Sequence, residues 1–330
     1  MAQAANRRPG VGELEPGRLV EMLSRMQLIR AFDSLLPSLY TQGLIQGSTH
    51  AAIGQEAVAV GACAALDDKD LITSTHRGHG HTIAKGGDVG RMMAELLGRA
   101  SGYCRGKGGS MHIADFSIGM LGANGIVGGG FGIATGAALS CQLRHTGQVV
   151  LCFFGDGALN QGAFLECGNL AKIWRLPLVL LCENNQFAMS KRPGETVGVE
   201  RLTDRGVGIG APAEEVDGMD VLAVYDAVAR AARRAREGAG PSLIVATCYR
   251  LVGHFSGDTL NYRTKAEADG WWRRDPIALF RADLVGRGVL TEPAADELAE
   301  EAEQRVTQAL EAAKAAPLPA PEEAWEDVFA

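Results

Sequence analysis

Two continuous apolar runs constrain this chain more than any other feature: "QVVLCFF" over 148–154 and "LPLVLLCE" over 176–183. Runs without polar alternation read as strands buried on both faces, the pattern of parallel sheets. Between them, "NQGAFLECGNLAKIW" over 160–174 reads as a helix. A strand–helix–strand unit of this kind crosses over right-handed and sets its two strands side by side. Each run ends in polar residues. Gly155-Asp156-Gly157 follows the first, and after 26 further residues Asn184-Asn185 follows the second. The crevice at the carboxyl ends of parallel strands is where open α/β sheets bind ligands. One carboxylate and one or two amide oxygens therefore meet there. Such a small set of hard oxygen donors suits Mg²⁺, which keeps octahedral geometry at about 2.0–2.1 Å and completes its shell with water and phosphate. Gly155 and Gly157 let the backbone approach a diphosphate, and a helix start near Asn160 would add a positive dipole end. A Gly-Asp-Gly alone is usually a turn and an Asn pair usually a cap. Their spacing across one βαβ unit makes them specific.

Elsewhere, a helix is expected from Pro16, with Leu19, Met22, Leu23, Met26 and Ile29 on one face. "QEAVAVGACAAL" (55–66) reads as a short buried helix, and "DLITST" (70–75) as a strand ending at "HRGHGH". The glycine-dense segment 99–130 is too irregular for regular elements and too long for a plain connector, which marks it as functional. A helix "GIATGAALSCQLRH", an amphipathic helix from Asp220, a strand "PSLIVATCYR", a polar loop from 251 and a helical, acidic segment over 276–315 follow. The fold class is α/β: a parallel sheet with helices on both faces and helical additions at the N- and C-terminal ends. Residues 1–15 read as a disordered lead-in, 16–315 as one domain and 316–330 as a tail.

A net charge of −7 over 330 residues argues against nucleic-acid binding. No apolar run is long enough to span a membrane, and no secretory signal precedes the first helix. Seven cysteines without a C-x-x-C pair read as buried thiols in a reducing compartment, here taken as the cytoplasm. Arg77 beside His76, His79 and His81 forms an electropositive cluster suited to a diphosphate. Three histidines so close also suggest zinc, yet no cysteine accompanies them and 156/184–185 is the better metal site. "GANGIVGGGFG" holds no G-x-G-x-x-G frame after a strand, and "CRGKGGS" is not a phosphate loop. The arginines over 230–236 read as a solvated helix face.

GDG-x(26)-NN looks like the thiamine diphosphate motif. "HRGHGH", "RGKGGSMH", "NGIVGG", "GDGALNQG", "LPLVLLCENN" and "YRLVGHFSGDTLNYR" follow one another as in one family. The chain resembles the alpha subunit of the thiamine diphosphate-dependent dehydrogenase component of 2-oxo acid and acetoin dehydrogenase complexes, over about 16–315. The resemblance implies the thiamine diphosphate-binding fold. It implies Mg²⁺ ligation by Asp156, Asn185 and the Phe187 carbonyl, with Gly155, Gly157 and Ala158 along the diphosphate. Arg77 and His254 would contact the diphosphate. His76, also counted among the cofactor-binding residues, takes a place often held by tyrosine in pyruvate-type relatives. Gly125 and Val127 would grip the aminopyrimidine. His79 would lie near the reacting end, and His79 and His254 would assist proton transfers. Loop 250–263 would order when cofactor binds. Phe255 stands where regulated relatives carry a serine, which speaks against kinase control there.

Family members also need a glutamate against the pyrimidine ring. Glu56, Glu95, Glu166 and Glu183 all lack the matching context. The resemblance assigns that glutamate to a separate beta subunit, hence an α₂β₂ heterotetramer, inactive as the single chain and passing its product to a lipoyl-bearing acyltransferase. "HRGHGH" and "CFFGDGALNQG" look closer to the acetoin type than to the pyruvate type, with a pyruvate or branched-chain 2-oxo acid substrate as the alternative. A split transketolase half lacks the "YR-x-x-GH" loop, and a nicotinamide dehydrogenase lacks its fingerprint.

Overall fold

Proline in the first turn starts α1 (Pro16–Thr41), where its missing N–H leaves no bond unmade. Leu19, Met22, Leu23, Met26 and Ile29 are buried along one stripe. The computed structural model describes residues 14–326. Residues 1–13, most of the expected lead-in, and 327–330, the apolar end of the tail, lie outside the described residues. The chain continues through α2 (Glu56–Ala64), β1 (Leu71–Thr73), α3 (Gly78–Ala84), α4 (Val89–Leu96), α5 (Gly129–Leu143), β2 (Val150–Gly155), α6 (Gly162–Ile173) and β3 (Leu178–Asn184). Two short helices, α7 (Pro193–Thr196) and α8 (Asp204–Gly208), lead to β4 (Ala213–Asp217), α9 (Val221–Arg236) and β5 (Ser242–Thr247). Three helices follow: α10 (Lys265–Trp272), α11 (Pro276–Gly286) and α12 (Glu292–Ala315).

The five strands are parallel, in the order β1-β2-β3-β5-β4. Alternate residues feed two cores, as a sheet covered on both faces requires. Leu151, Phe153, Val179 and Leu181 pack with α1, α2 and α9. Val150, Cys152, Phe154, Leu178 and Leu180 pack with α5 and α6. The α12 helix lies against α1 and α4 and closes the first core from outside. Asp220 caps α9 through the backbone N–H groups of Leu222 and Ala223, as its position suggested.

Several expected boundaries shift. The first strand is only three residues long, and the last four residues of "HRGHGH" begin α3. The acidic 276–315 segment is two helices, broken at Gly288, whose φ of 69° a side chain would strain. Strand β4 was not expected. It is an edge strand whose glutamates hide its alternation. The arginines of α9 are partly fasteners: Arg236 pairs with the buried Asp70 at 2.7 Å, at the amino end of β1. The expected helix start near Asn160 is a 3-10 turn over Asp156–Asn160, and α6 begins at Gly162.

Candidate active site

All strands being parallel, the ends of β1, β2, β3 and β5 share one edge of the sheet. A cavity of about 310 Å³ opens there. His76, Arg77, Val127, Gly155, Asp156, Gly157, Ala158, Asn185, Phe187 and His254 line it, together with Arg250 and the start of α5 at Gly128, Gly130 and Phe131. The start of α5 borders the cavity, although the Gly129 and Phe131 N–H groups there already donate to the Ile126 and Gly128 carbonyls at 2.9 and 3.2 Å. Gly157 cannot carry a side chain, because a Cβ there would lie 2.7 Å from the Ala188 Cβ.

One wall is cationic. Arg77 is buried and donates to the Ala51 carbonyl at 2.6 Å and to the His254 carbonyl at 3.0 Å. Arg250 is fully buried and donates to the Met189 carbonyl and the Tyr262 hydroxyl, both at 2.7 Å. Among the described residues no carboxylate lies within ion-pair distance of either guanidinium. Burial, and then Arg250, pushes Arg77 down to about 9. Burial pushes His76 down to about 2 and His254 to about 4, with Arg77 the next cause in both. Buried cations held without a counter-charge are what an anion site looks like before its anion arrives. Arginine can only donate, so the 3.1 Å contact from Arg77 makes His254 Nδ1 the acceptor and leaves the proton on Nε2.

Opposite stands Asp156. Burial pushes its carboxyl up to about 6, against weaker pulls from a backbone hydrogen bond, Arg250 and Arg77. Its Oδ2 is buried without a partner. Asn185 Oδ1 accepts from the Phe187 N–H at 3.3 Å, and the Phe187 carbonyl accepts from Arg250 at 3.2 Å, which leaves that carbonyl one lone pair. An orphaned carboxylate oxygen, an amide oxygen and a half-used carbonyl make a hard-donor set that fits Mg²⁺ beside a diphosphate. Among the described residues no group of three His, Cys, Asp or Glu side chains is placed to hold a metal ion.

Residues 24–322 match the family described as Dehydrogenase E1 component. This chain belongs to that family. The alpha subunit of acetoin:2,6-dichlorophenolindophenol oxidoreductase from Bacillus subtilis is 47% identical over 313 residues, 93% of this chain and 92% of the relative. Its namesake from Cupriavidus necator is 44% identical, covering 96% and 95%. The pyruvate dehydrogenase E1 component subunit alpha of Zymomonas mobilis is 40% identical, covering 97% and 91%.

Two expected site residues of this E1 chain stand back from the cavity. His79 is fully buried, donating from Nδ1 to Asp33 at 2.9 Å while its Nε2 accepts from the Ser110 hydroxyl at 2.9 Å. Both ring nitrogens are engaged, so a direct proton transfer by His79 is not supported by this geometry. Gly125 is exposed, and although its neighbours Asn124, Ile126 and Val127 line the cavity, it does not. His81 bonds Ser74 at 2.6 Å and Glu183 at 3.2 Å and stacks on Phe153, a structural role. Loop 250–263 already holds itself: Asp258 accepts from the His254 N–H at 2.6 Å and the Tyr262 hydroxyl at 2.5 Å, and Arg263 donates to the Leu251 and Val252 carbonyls.

Sequence reasoning missed His50 and Arg250. His50 is buried, its ring 4.8 Å from that of His76 and 5.0 Å from that of His254, with Nδ1 unpartnered. Burial, then Arg77, pushes it down to about 3. Arg250 stood within the quoted "YR-x-x-GH" string, a usable signal. His50 had none, since only the tertiary fold brings it to the others.

Proposed function

We propose that this chain is the alpha subunit of a thiamine diphosphate- and Mg²⁺-dependent E1 enzyme that cleaves acetoin and passes the two-carbon fragment oxidatively to a lipoyl group. The observation that carries the cofactor is the cavity wall, where unpaired Arg77 and Arg250 face the orphaned Asp156 oxygen. Acetoin is favoured because the Bacillus and Cupriavidus relatives bear that name at 44–47% identity over nearly the whole chain. Asp156, Asn185 and the Phe187 carbonyl would hold Mg²⁺. Arg77, His254 and the backbone of Gly157 and Ala158 would hold the diphosphate.

Thiamine diphosphate supplies, when bound, the nucleophilic carbon for cleavage beside a carbonyl. The chain's own residues bind, orient and manage protons. His254 keeps a proton on Nε2 and is neutral at pH 7, so it can donate toward a developing alkoxide. His79, locked between Asp33 and Ser110, fixes the wall behind it. Among the described residues no glutamate lines the cavity, and Asp156 is its single carboxylate. The glutamate such chemistry needs would come from a beta subunit in an α₂β₂ enzyme of the cytoplasm, serving a lipoyl-bearing acyltransferase.

The Zymomonas relative keeps a pyruvate-type reading open. The deciding experiment co-expresses the chain with a beta subunit of the same family of enzymes. Dye reduction is followed with acetoin, pyruvate and a branched 2-oxo acid. Turnover with acetoin at least tenfold above the others is expected. A preference for pyruvate would keep the cofactor site and overturn the substrate.

A further inference from the structure

Behind the cation site, one buried side chain is devoted to another's orientation. Asn185 donates from Nδ2 to Gln55 Oε1 at 3.0 Å. Gln55 is 1% exposed, and its own Nε2 has no partner. Its backbone is rigid. The Gln55 N–H donates to the Ala52 carbonyl at 2.8 Å, and its carbonyl accepts from Val58 and Ala59 at the start of α2. Neighbouring Glu56 is clamped by Arg30 at 2.6 Å and the Gly54 N–H at 2.8 Å.

An amide can sit either way round in its pocket, and only its partners decide which end faces where. Here two groups fix the Asn185 amide. The Phe187 N–H demands an oxygen at one end. The Gln55 oxygen demands an N–H at the other. Turned over, Asn185 would set N–H against N–H at Phe187 and, with Gln55 as it stands, oxygen against oxygen at Gln55. Nothing else among the described residues accepts from Asn185 Nδ2.

We propose that Gln55 is a positioning residue for the metal site: it locks the Asn185 amide so that Oδ1, not Nδ2, is presented beside Asp156. This rests on the Mg²⁺ and thiamine diphosphate reading above. Outer partners that orient a ligand are commonly worth 10–100-fold in metal affinity.

The test uses the assembled alpha–beta enzyme, with Mn²⁺ as probe in the presence of thiamine diphosphate, read by electron paramagnetic resonance, so turnover is not the readout. Gln55→Leu removes the acceptor and should weaken Mn²⁺ by about 10–100-fold, with the thermal midpoint measured alongside. Gln55→Asn, which draws the amide back by one methylene, gives the same loss should the leucine variant fail to assemble. Gln55→Glu keeps an acceptor and should stay within about threefold of wild type. In an Asn185→Asp background there is no amide left to orient, so Gln55→Leu or Gln55→Asn should change Mn²⁺ affinity by less than about threefold. Unchanged affinity in both the leucine and asparagine variants, or an equal loss in the Asn185→Asp background, overturns the proposal. Failure of the wild-type enzyme to take up Mn²⁺ with the cofactor would instead sink the underlying cofactor reading.

Discussion

At the scale of single residues, the site is governed by charges kept out of water. Asp156 is the single carboxylate in the cavity wall among the described residues, and its Oδ2 has no partner. Asp156→Asn keeps the shape and removes the charge. Mg²⁺-dependent binding of thiamine diphosphate, followed by titration calorimetry, should weaken by more than about 100-fold, beyond the range of an outer partner. Folding should not suffer, since burial already pushes this carboxyl up to about 6 and its charged form is a burden to the fold. The histidines carry the opposite sign. His76 sits at about 2, first through burial and then through Arg77, against 6.5 when unfolded. Below pH 6.5 the unfolded chain therefore takes up a proton that the folded chain refuses. Stability is lost as pH falls, by roughly 1.4 kcal/mol per pH unit for such a group. His76→Gln should lose about 1–2 kcal/mol less than wild type between pH 7 and pH 5 in paired urea melts. Equal losses would show that His76 is not held neutral. None of this was visible from residue types alone. His76 and Arg77 are adjacent in the chain, but Arg250 and His254 join them from beyond the end of β5 and His50 from the connection between α1 and α2, so only the tertiary fold gathers them.

At the scale of elements, what could be read ahead of the structure follows burial. Strands β2 and β3 are covered on both faces, so they are apolar throughout and announce themselves. Strand β4 is an edge with Glu214 and Glu215, and no such run marks it. The glycine-dense segment was recognisable as irregular, but what shapes it was not. Glu95, fully buried on α4, accepts four backbone N–H bonds from the loop. Cys104 and Gly106 donate to its Oε2 at 2.7 and 2.9 Å, and Gly108 and Gly109 to its Oε1 at 2.8 and 2.9 Å. A carboxylate bound to main chain leaves no pattern in side-chain identity, which is why it passed as a bland acid. The turn it makes carries Ser110 to His79. Glu95→Gln would set an NH₂ group against two of those donors. Hydrogen bonds to a charged group are worth about 1.5–3 kcal/mol each, so a loss of roughly 2–4 kcal/mol is expected. Hydrogen exchange at 104–109 should quicken by at least about 30-fold, while β2 and β3 keep their protection until global unfolding. Protection unchanged in the loop would mean that the glycines alone hold its shape.

At the scale of the whole molecule, the cavity reads as half a site under the proposed alpha-subunit function. Asp156 and the cationic wall are present, no glutamate lines the cavity among the described residues, and its mouth is apolar and open. Ile126 is 73% exposed, Val127 53% and Met189 63%. The outer face of α5 continues this surface with Ile133 and Leu143, beside Leu165 and Ile173 on α6. Gly132 and Gly136 leave open space where side chains would stand, so another backbone can approach α5 closely. Apolar side chains grouped beside an incomplete cavity fit a partner that both covers the face and completes the site. Under the alpha-subunit reading that partner is the beta chain. Ile133 lies on this face and outside the cavity lining, so changing it separates assembly from cofactor contacts. Burying an isoleucine is worth about 2 kcal/mol, and an unpaired aspartate in its place adds a desolvation cost. Ile133→Asp should therefore weaken association with the beta subunit by at least about 30-fold. Light scattering after gel filtration would show the wild-type pair as α₂β₂ and the variant as separate chains. The variant alpha chain, already half-exposed at this position, should melt within about 1 kcal/mol of wild type. An α₂β₂ particle from the variant at micromolar concentration, with full dye reduction, would place the beta chain on another face.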